Sequence, residues 1–512
     1  MKFKITEDQK FLIIDDCTQL EMEQIESSFV KKPENWFILK KKKPHWDCQI
    51  RFIDKYSRIP IGLWKEVKDF CTKYHFTFSI QGAEILTDST FNEEDFEEWI
   101  NDFFTDPENF FPREYQTEGC KRILKFRICT EEISTSAGKT IMAYMIFRYL
   151  LDKGKIKKLL YVVPNIDLVT QTEDKFYEYE DRCGHKPTWK SLCVFSEAGK
   201  SRVENPNIVF GTYQSLTKRG IEYFKDFDAV CIDETHHAKA DSIKTILLKC
   251  FNAPYKFGLT GTLPPEGSCS SFTIQAYLGP KVYTILSSDL IEGGDATPVN
   301  VICIELDYLE ESKKKDLYLL RDVKADEKDG VKLLNLEKEI ARNSKKRLVY
   351  IGEAIAKTKK NSLVLFADIK HGYGRKIYDW LRENTDKNVY YIDGKTETEN
   401  RDFYKDKMEN EENVILVAST GTFSEGIDLL NINNVFITES NKSEIIVRQI
   451  LGRPMRLKDG KDKVIVVDFS DNYYWRGVNK FQQKNYLMRH SAERERIYKD
   501  KKFPFKKFKI KL

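Results

Sequence analysis

Apolar residues in this chain gather into short continuous runs separated by longer amphipathic stretches. Runs at Leu159–Val163, 208–211, Ala229–Asp233 and 256–260 alternate with segments of helical spacing. A second series follows at 363–367, Val389–Ile392, 414–418, 435–438 and 464–469. Short apolar strands alternating with helices predict parallel sheets covered on both faces. Two such series predict two α/β domains in tandem, whose cleft is the natural place for a ligand. Charged helices are expected over 309–360, and Glu292-Gly293-Gly294-Asp295-Ala296-Thr297-Pro298 reads as a linker. Residues 1–108 mix shorter elements: a strand over 49–54, an amphipathic helix over 62–75 and an acidic helix over 91–104. The expected organisation is therefore a small α+β domain over 1–108, parallel-sheet domains over 109–294 and 295–475, and a basic extension over 476–512.

The chemistry is carried by the junctions between these elements. Ser134-Thr135-Ser136-Ala137-Gly138-Lys139-Thr140 lies between the apolar-tending run 123–133 and an apolar helical run over 141–151. A loop of small residues at a helix entrance offers backbone N–H groups and a positive helix end to phosphate. Lys139 reaches the outer phosphates, and Thr140 is a ligand for Mg²⁺. Ile133 replaces the first glycine usual in such loops, so the segment alone also fits a plain surface turn.

A second junction strengthens the first. The run Ala229–Asp233 delivers Asp233 and Glu234 to its C-terminal end, where open α/β sheets bind ligands. Phosphoryl transfer to water needs one carboxylate for the metal and one to orient the nucleophile, which assigns Asp233 and Glu234 respectively. His236 reads as a polar coupler from this site to Gly258-Leu259-Thr260-Gly261-Thr262, or else as half of a solvated pair with His237. In the second series, Gln449-Ile450-Leu451-Gly452-Arg453-Pro454-Met455-Arg456 puts two arginines on one helical face, suited to phosphate charge. Gly426 permits close backbone approach, and Asp428 is placed to meet ribose or an arginine.

Taken in order, these segments resemble the motif set of superfamily 2 helicases. Phe111-Pro112-Arg113-Glu114-Tyr115-Gln116 is similar to the family's adenine-reading motif, and Ser136-Ala137-Gly138-Lys139-Thr140 to its phosphate loop. Val162-Val163-Pro164-Asn165, 211–216, 363–366 and 420–428 resemble motifs that touch nucleic acid or nucleotide. Asp233-Glu234-Thr235-His236, 260–262 and 449–456 match the remaining motifs. The resemblance implies two RecA-like domains, ATP and Mg²⁺. It places Lys139, Asp233, Glu234, His236, Gln449, Arg453 and Arg456 in catalysis. Arg113, Gln116, Ser136, Ala137, Gly138, Lys139, Thr140, Gly426 and Asp428 would hold nucleotide, with Thr140 and Asp233 on the metal. Pro164, Asn165, Thr212, Gln214, Phe366 and Thr420 would hold nucleic acid. Segments 46–54, 59–63, Phe423-Ser424 and 442–447 are similar to a phage branch of the family, with Thr140 and Thr235 departing from its usual residues. That branch implies unwinding, annealing and branch migration of forks, four-way junctions and R-loops in recombination, repair and replication. It also implies 3′-to-5′ travel, branched DNA as partner with RNA in R-loops, a monomer, and the host cytoplasm.

Composition adjusts this picture in three places. With 41% hydrophobic and 32% charged residues the chain is globular rather than disordered. A net charge of only +4 means that nucleic acid must be met by local patches. One patch holds Lys41, Lys42, Lys43, Trp46 and Arg51, a basic cluster with an aromatic, which suits duplex phosphate; a solvated loop is the plainer reading. The tail from Lys499 carries seven lysines against one acid, with Phe503, Phe505 and Phe508 interleaved; it fits nucleotide stacking or a packed last strand. Eleven cysteines without a C-x-x-C pair point to free thiols in a reducing compartment. No apolar run reaches the ~18 residues of a membrane span. An RNA helicase or duplex translocase, and a non-catalytic ATP-switched clamp, are the competing functions.

Overall fold

The computed structural model describes residues 1–512 except 34–35, 107–109, 135, 196–202, 236–239, 323–326, 425–428, 441–443 and 476–483. It divides into two units, Met1–Ile285 and Leu286–Leu512.

The first unit opens with β1 (Lys2–Ile5), β2 (Phe11–Asp16), β3 (Val30–Lys31), β4 (Ile50–Arg51), β5 (Arg58–Pro60) and β6 (Ser79–Gln81). Four of them form a mixed sheet in the order β5-β2-β1-β6, and β3 pairs with β4. Phe3, Ile5, Leu12 and Ile14 recur at the two-residue period of a half-buried sheet and point inward. The helix Trp64–Lys73 adds Trp64, Val67, Phe70 and Cys71, one stripe at helical spacing. This core continues onto Phe272 and Ala276 of the helix Cys269–Leu278. Gly62 makes the contact possible, because a Cβ there would lie 2.1 Å from the Gln275 carbonyl oxygen.

The rest of this unit is built on β7 (Ile128–Ile133), β8 (Leu159–Val163), β9 (Ser191–Val194), β10 (Ile208–Thr212), β11 (Ala229–Asp233), β12 (Tyr255–Thr260) and β13 (Lys281–Ile285). They form one parallel sheet in the order β13-β7-β12-β11-β8-β10-β9. Burial on both faces explains why β8 is apolar throughout and β11 is apolar up to Asp233 at its end. The run 123–133 is not one element. The helix Glu114–Phe126 ends at Arg127, whose φ is +56°, and β7 starts next to it.

The second unit repeats the plan with β14 (Val299–Asp307), β15 (Ser362–Phe366), β16 (Val389–Ile392), β17 (Ile415–Ser419), β18 (Asn434–Ile437), β19 (Val464–Asp471) and β20 (Phe505–Lys511). Its parallel order is β16-β17-β15-β18-β19-β14-β20. Charged helices span Glu311–Asp322, Glu327–Asn343 and Lys345–Ala356, the last packing Ile351 and Ile355 on the sheet. The basic tail closes the sheet rather than trailing from it. Phe503 is buried, and Lys507 and Lys509 reach the buried Glu305 of β14 at 2.5 and 3.7 Å. All eleven cysteines are free. No described helix is long and apolar enough to cross a membrane.

Candidate nucleotide and nucleic-acid sites

The parallel register gathers chemistry at one edge of the first sheet. Val163 pairs with Thr212, Ile232 with Val162, and Asp233 with Leu259. Pro164, Thr212, Asp233 and Thr260 therefore end neighbouring strands on the same side, the side where such sheets bind ligands.

The loop after β7 enters the helix Lys139–Asp152 through Gly138, whose φ of +82° is a left-handed conformation open to glycine. A Cβ at Gly138 would also sit 2.5 Å from Gln116 Nε2. Gln116 is buried and joins the adenine-reading segment to the loop. Its Nε2 donates to the Ala137 carbonyl at 2.9 Å, and its Oε1 accepts from the Arg113 N–H at 3.0 Å. Ala137 N–H donates back to the Ser134 carbonyl at 3.0 Å, which tightens the turn. Ala137 is buried, whereas Ser136 and Thr140 are half-buried. The first amides of a helix lack intrahelical acceptors and lie at its positive end, so this entrance suits an anion.

Facing it are the two acids. Lys139 Nζ lies 3.0 Å from Glu234 Oε1, and both side chains are largely shielded from solvent. Asp233 is buried. Its Oδ2 accepts from the Tyr161 hydroxyl at 3.0 Å and its Oδ1 from the Glu234 N–H at 2.9 Å. Burial first, and then the Glu234 charge, push the Asp233 carboxyl up to about 7; Lys139 and the Tyr161 hydroxyl oppose them. Glu234 has a φ of +49°, a conformation a side chain adopts at a cost. The Gly261 N–H lies 3.4 Å from Glu234 Oε2, linking the Thr260-Gly261-Thr262 turn to the acid. Tyr161 and Tyr213, whose hydroxyls donate to the Asp233 side chain and carbonyl, were not foreseen: Tyr161 sits in an apolar run that reads as packing, and Tyr213 opens the short helix Tyr213–Thr217. His236 lies outside the described residues.

In the second unit Gln449 is buried on the helix Glu444–Gly452, and Arg453 and Arg456 follow it half-exposed. Arg453 lies over the Phe423 ring at 5.5 Å. Thr297 donates from its N–H to the Met455 carbonyl at 2.6 Å and from its hydroxyl to the Arg456 carbonyl at 3.1 Å, fixing the backbone that carries the arginines. Gly426 and Asp428 lie outside the described residues.

The chain matches two families. Residues 109–265 match the "Type III restriction enzyme, res subunit" family and residues 346–458 the "Helicase conserved C-terminal domain" family. It is 29% identical over 96% of both chains to the ATP-dependent DNA helicase uvsW of Enterobacteria phage T4. The chain is a superfamily 2 helicase. The helicase is also 26% identical to the DNA 3′-5′ translocase XPB2 of Sulfurisphaera tokodaii, over 69% of this chain and 81% of that one. Its fold recurs in the ATP-dependent Type ISP restriction-modification enzyme LlaBIII bound to DNA, at a TM-score of 0.56 and 16% identity over 87% of this chain and 36% of that one.

The remaining sequence candidates of the helicase fall into exposed and buried groups. Asn165 caps the helix Ile166–Arg182, accepting from the Leu168 N–H at 2.9 Å, and leaves Pro164 half-exposed beside it. Gln214 is exposed, but Thr212 is buried as a helix cap. Thr420 donates to the Phe366 carbonyl at 3.0 Å. Phe366 itself is fully buried and stacked on Tyr391 at 5.6 Å, so its ring is core and only its backbone borders the strand end. This corrects the expectation that Phe366 meets nucleic acid through its side chain. Near the N-terminus Lys41 and Lys43 are exposed, and Lys42 closes the helix Trp36–Lys42. Trp46 is half-buried, its Nε1 donating to the Gln49 carbonyl at 3.2 Å, and Arg51 is exposed but paired with Asp47 at 2.6 Å.

Proposed function

We propose that this superfamily 2 helicase uses ATP hydrolysis to unwind, anneal or branch-migrate branched DNA: forks, four-way junctions and R-loops. One observation carries the catalytic half of the reading. Lys139, from a helix entrance, and Asp233 and Glu234, from a strand end, converge beside the glycine turn at Gly138. The DNA half leans on the phage relative, whose name says that it is an ATP-dependent DNA helicase.

In this reading Lys139 leaves Glu234 for the outer phosphates when ATP arrives. Glu234, so released, orients the attacking water and takes its proton. Gln116 and Arg113 hold the adenine, and Gly138 and Ala137 lie against phosphate. Gln449, Arg453 and Arg456 are assigned catalytic roles as donors and positive charge suited to a phosphoryl group. Among the described residues no group of three or more His, Cys, Asp or Glu is placed to hold a metal. The donors present nevertheless fit Mg²⁺, which keeps water and phosphate ligands and takes few from protein: Asp233 and the Thr140 hydroxyl. Bound there, the ion neutralises phosphate charge. We further assign duplex grip to Lys41, Lys42 and Lys43, and strand contact to Pro164, Asn165, Gln214 and Thr420. The helicase is proposed to act as a monomer in the cytoplasm of a phage-infected host.

The test is a gel assay with ATP on forked DNA, a four-way junction, an R-loop and a tailed RNA duplex. Conversion of the branched DNAs, lost in Lys139→Ala, is expected. Preference for the RNA duplex would overturn the substrate assignment.

A further inference from the structure

The second sheet carries a cleft that none of the helicase motifs occupies. It encloses about 340 Å³ beside the edge strand β16. Tyr378, Tyr390, Tyr391 and Tyr404 line it, with Arg375 and Lys395 at its margin. All four tyrosines are partly exposed, and both cations are exposed. Tyr390 and Tyr404 stack at 5.0 Å and 28°, while Tyr378 and Tyr391 meet at 5.7 Å and 65°. The Arg375 guanidinium lies 5.2 Å from the Tyr378 ring and 4.6 Å from the Tyr391 ring. Among the described residues neither Arg375 nor Lys395 has an ion-pair partner.

We propose that this cleft receives one nucleobase of single-stranded DNA against Tyr378, Tyr390 and Tyr404, since Tyr391 is covered by Phe366 and Arg375, while Arg375 and Lys395 hold the adjoining phosphates. Four features lead there. The volume lies at the low end of ligand sites, enough for one nucleotide and too small for a duplex. Aromatic faces interleaved with cations bind bases with little regard to sequence. The Asp393 carboxylate also lines the cleft, accepting from the Lys395 N–H at 2.9 Å and the Tyr391 hydroxyl at 3.3 Å, and is an acceptor for a base amino group. Finally, Ile392 pairs with Ala418 and Phe366 with Ser419, so the cleft lies at the same strand-end side of the sheet as Thr420, which follows the neighbouring β17. A base held there would index the strand.

The proposal rests on the DNA-helicase reading, and the experiment separates the two. The full chain is irradiated with a 5-iodouracil-containing oligothymidylate, and adducts are mapped by mass spectrometry. Binding is measured in parallel by anisotropy for that oligonucleotide and an abasic one of equal length. Adducts on Tyr378, Tyr390 or Tyr404 are expected, with about tenfold weaker binding of the abasic strand. Arg375→Glu, an exposed change whose unfolding midpoint is checked, should weaken binding about tenfold. Tyr378→Ala should erase the difference between the two strands. Equal binding of both strands by the wild-type protein, with adducts only elsewhere, overturns the base cleft and leaves the DNA reading standing. Absence of any oligonucleotide binding overturns both. Adducts that an aromatic-rich peptide, but not mononucleotide, displaces would mark a protein-docking cleft and also overturn it.

Discussion

The two sheets are each seven-stranded and parallel but treat the acids of their strands in opposite ways. In the first sheet Asp233 is buried beside Glu234 and pushed toward protonation, with hydroxyl and amide donors instead of a guanidinium. In the second, Asp468 and Asp471 of β19 are saturated. Arg494 donates to Asp468 at 2.8 and 2.7 Å, and Tyr498 at 2.8 Å. Arg347 donates to Asp471 at 2.6 and 3.2 Å, and Tyr308 at 2.8 Å. Both arginines are fully buried. An acid left short of cationic partners suits a ligand site; a saturated one marks architecture.

The largest expected effect breaks the saturated side. Arg347→Ala leaves Asp471 buried without its cation and should cost about 3–5 kcal/mol in urea unfolding. A change below about 1 kcal/mol would show that Asp471 is not structural in the sense argued. On the other side, Glu234→Gln should cut DNA-stimulated phosphate release at least ~100-fold while leaving the unfolding midpoint near that of wild type. Parallel losses of rate and stability would erase the contrast between the two sheets.

Asp88 sharpens the comparison, because it is a saturated acid within the first unit. Burial alone would raise its carboxyl, but Thr90, Lys155, Arg127 and Tyr255 outweigh burial and hold it well below the usual range. Asp88→Asn should cost about 2 kcal/mol at neutral pH. Because the folded value is depressed, that stabilisation is present above about pH 4 and is lost as pH falls below it. The wild-type and variant unfolding curves should therefore converge in acid; a gap independent of pH would contradict the assignment. The smallest effect belongs to the exposed cluster. Lys41→Ala and Lys43→Ala should each lower duplex affinity a few-fold and reduce the salt slope by about 1. An unchanged slope would return the patch to mere solvation.

Strands buried on both faces were the most legible part of the sequence, since continuous apolar runs have few alternatives; 208–211 and 256–260 fall within β10 and β12. β7 was obscured by Glu131 and Glu132. Burial, then Glu118, pushes the Glu131 carboxyl well up; it lies in the core although periodicity counts it as polar. The strand expected over 49–54 shrinks to β4, whose two residues pair only with β3. At the site, Lys139, Asp233 and Glu234 were readable from spacing because glycine turns and strand-end acids are rare combinations. The tyrosine cleft was not, because Arg375, Tyr391 and Tyr404 come from three elements and meet only in the fold.

The last strand has a practical consequence. β20 turns Lys506, Lys507, Lys509 and Lys511 along the outer rim of the second sheet. Removing Phe505–Lys511 would uncover β14, whose Val299, Val301 and Cys303 are buried, as a fresh rim without those cations. Such a rim recruits strands from other molecules. A chain trimmed there would be expected to clump on concentration even with its catalytic groups intact.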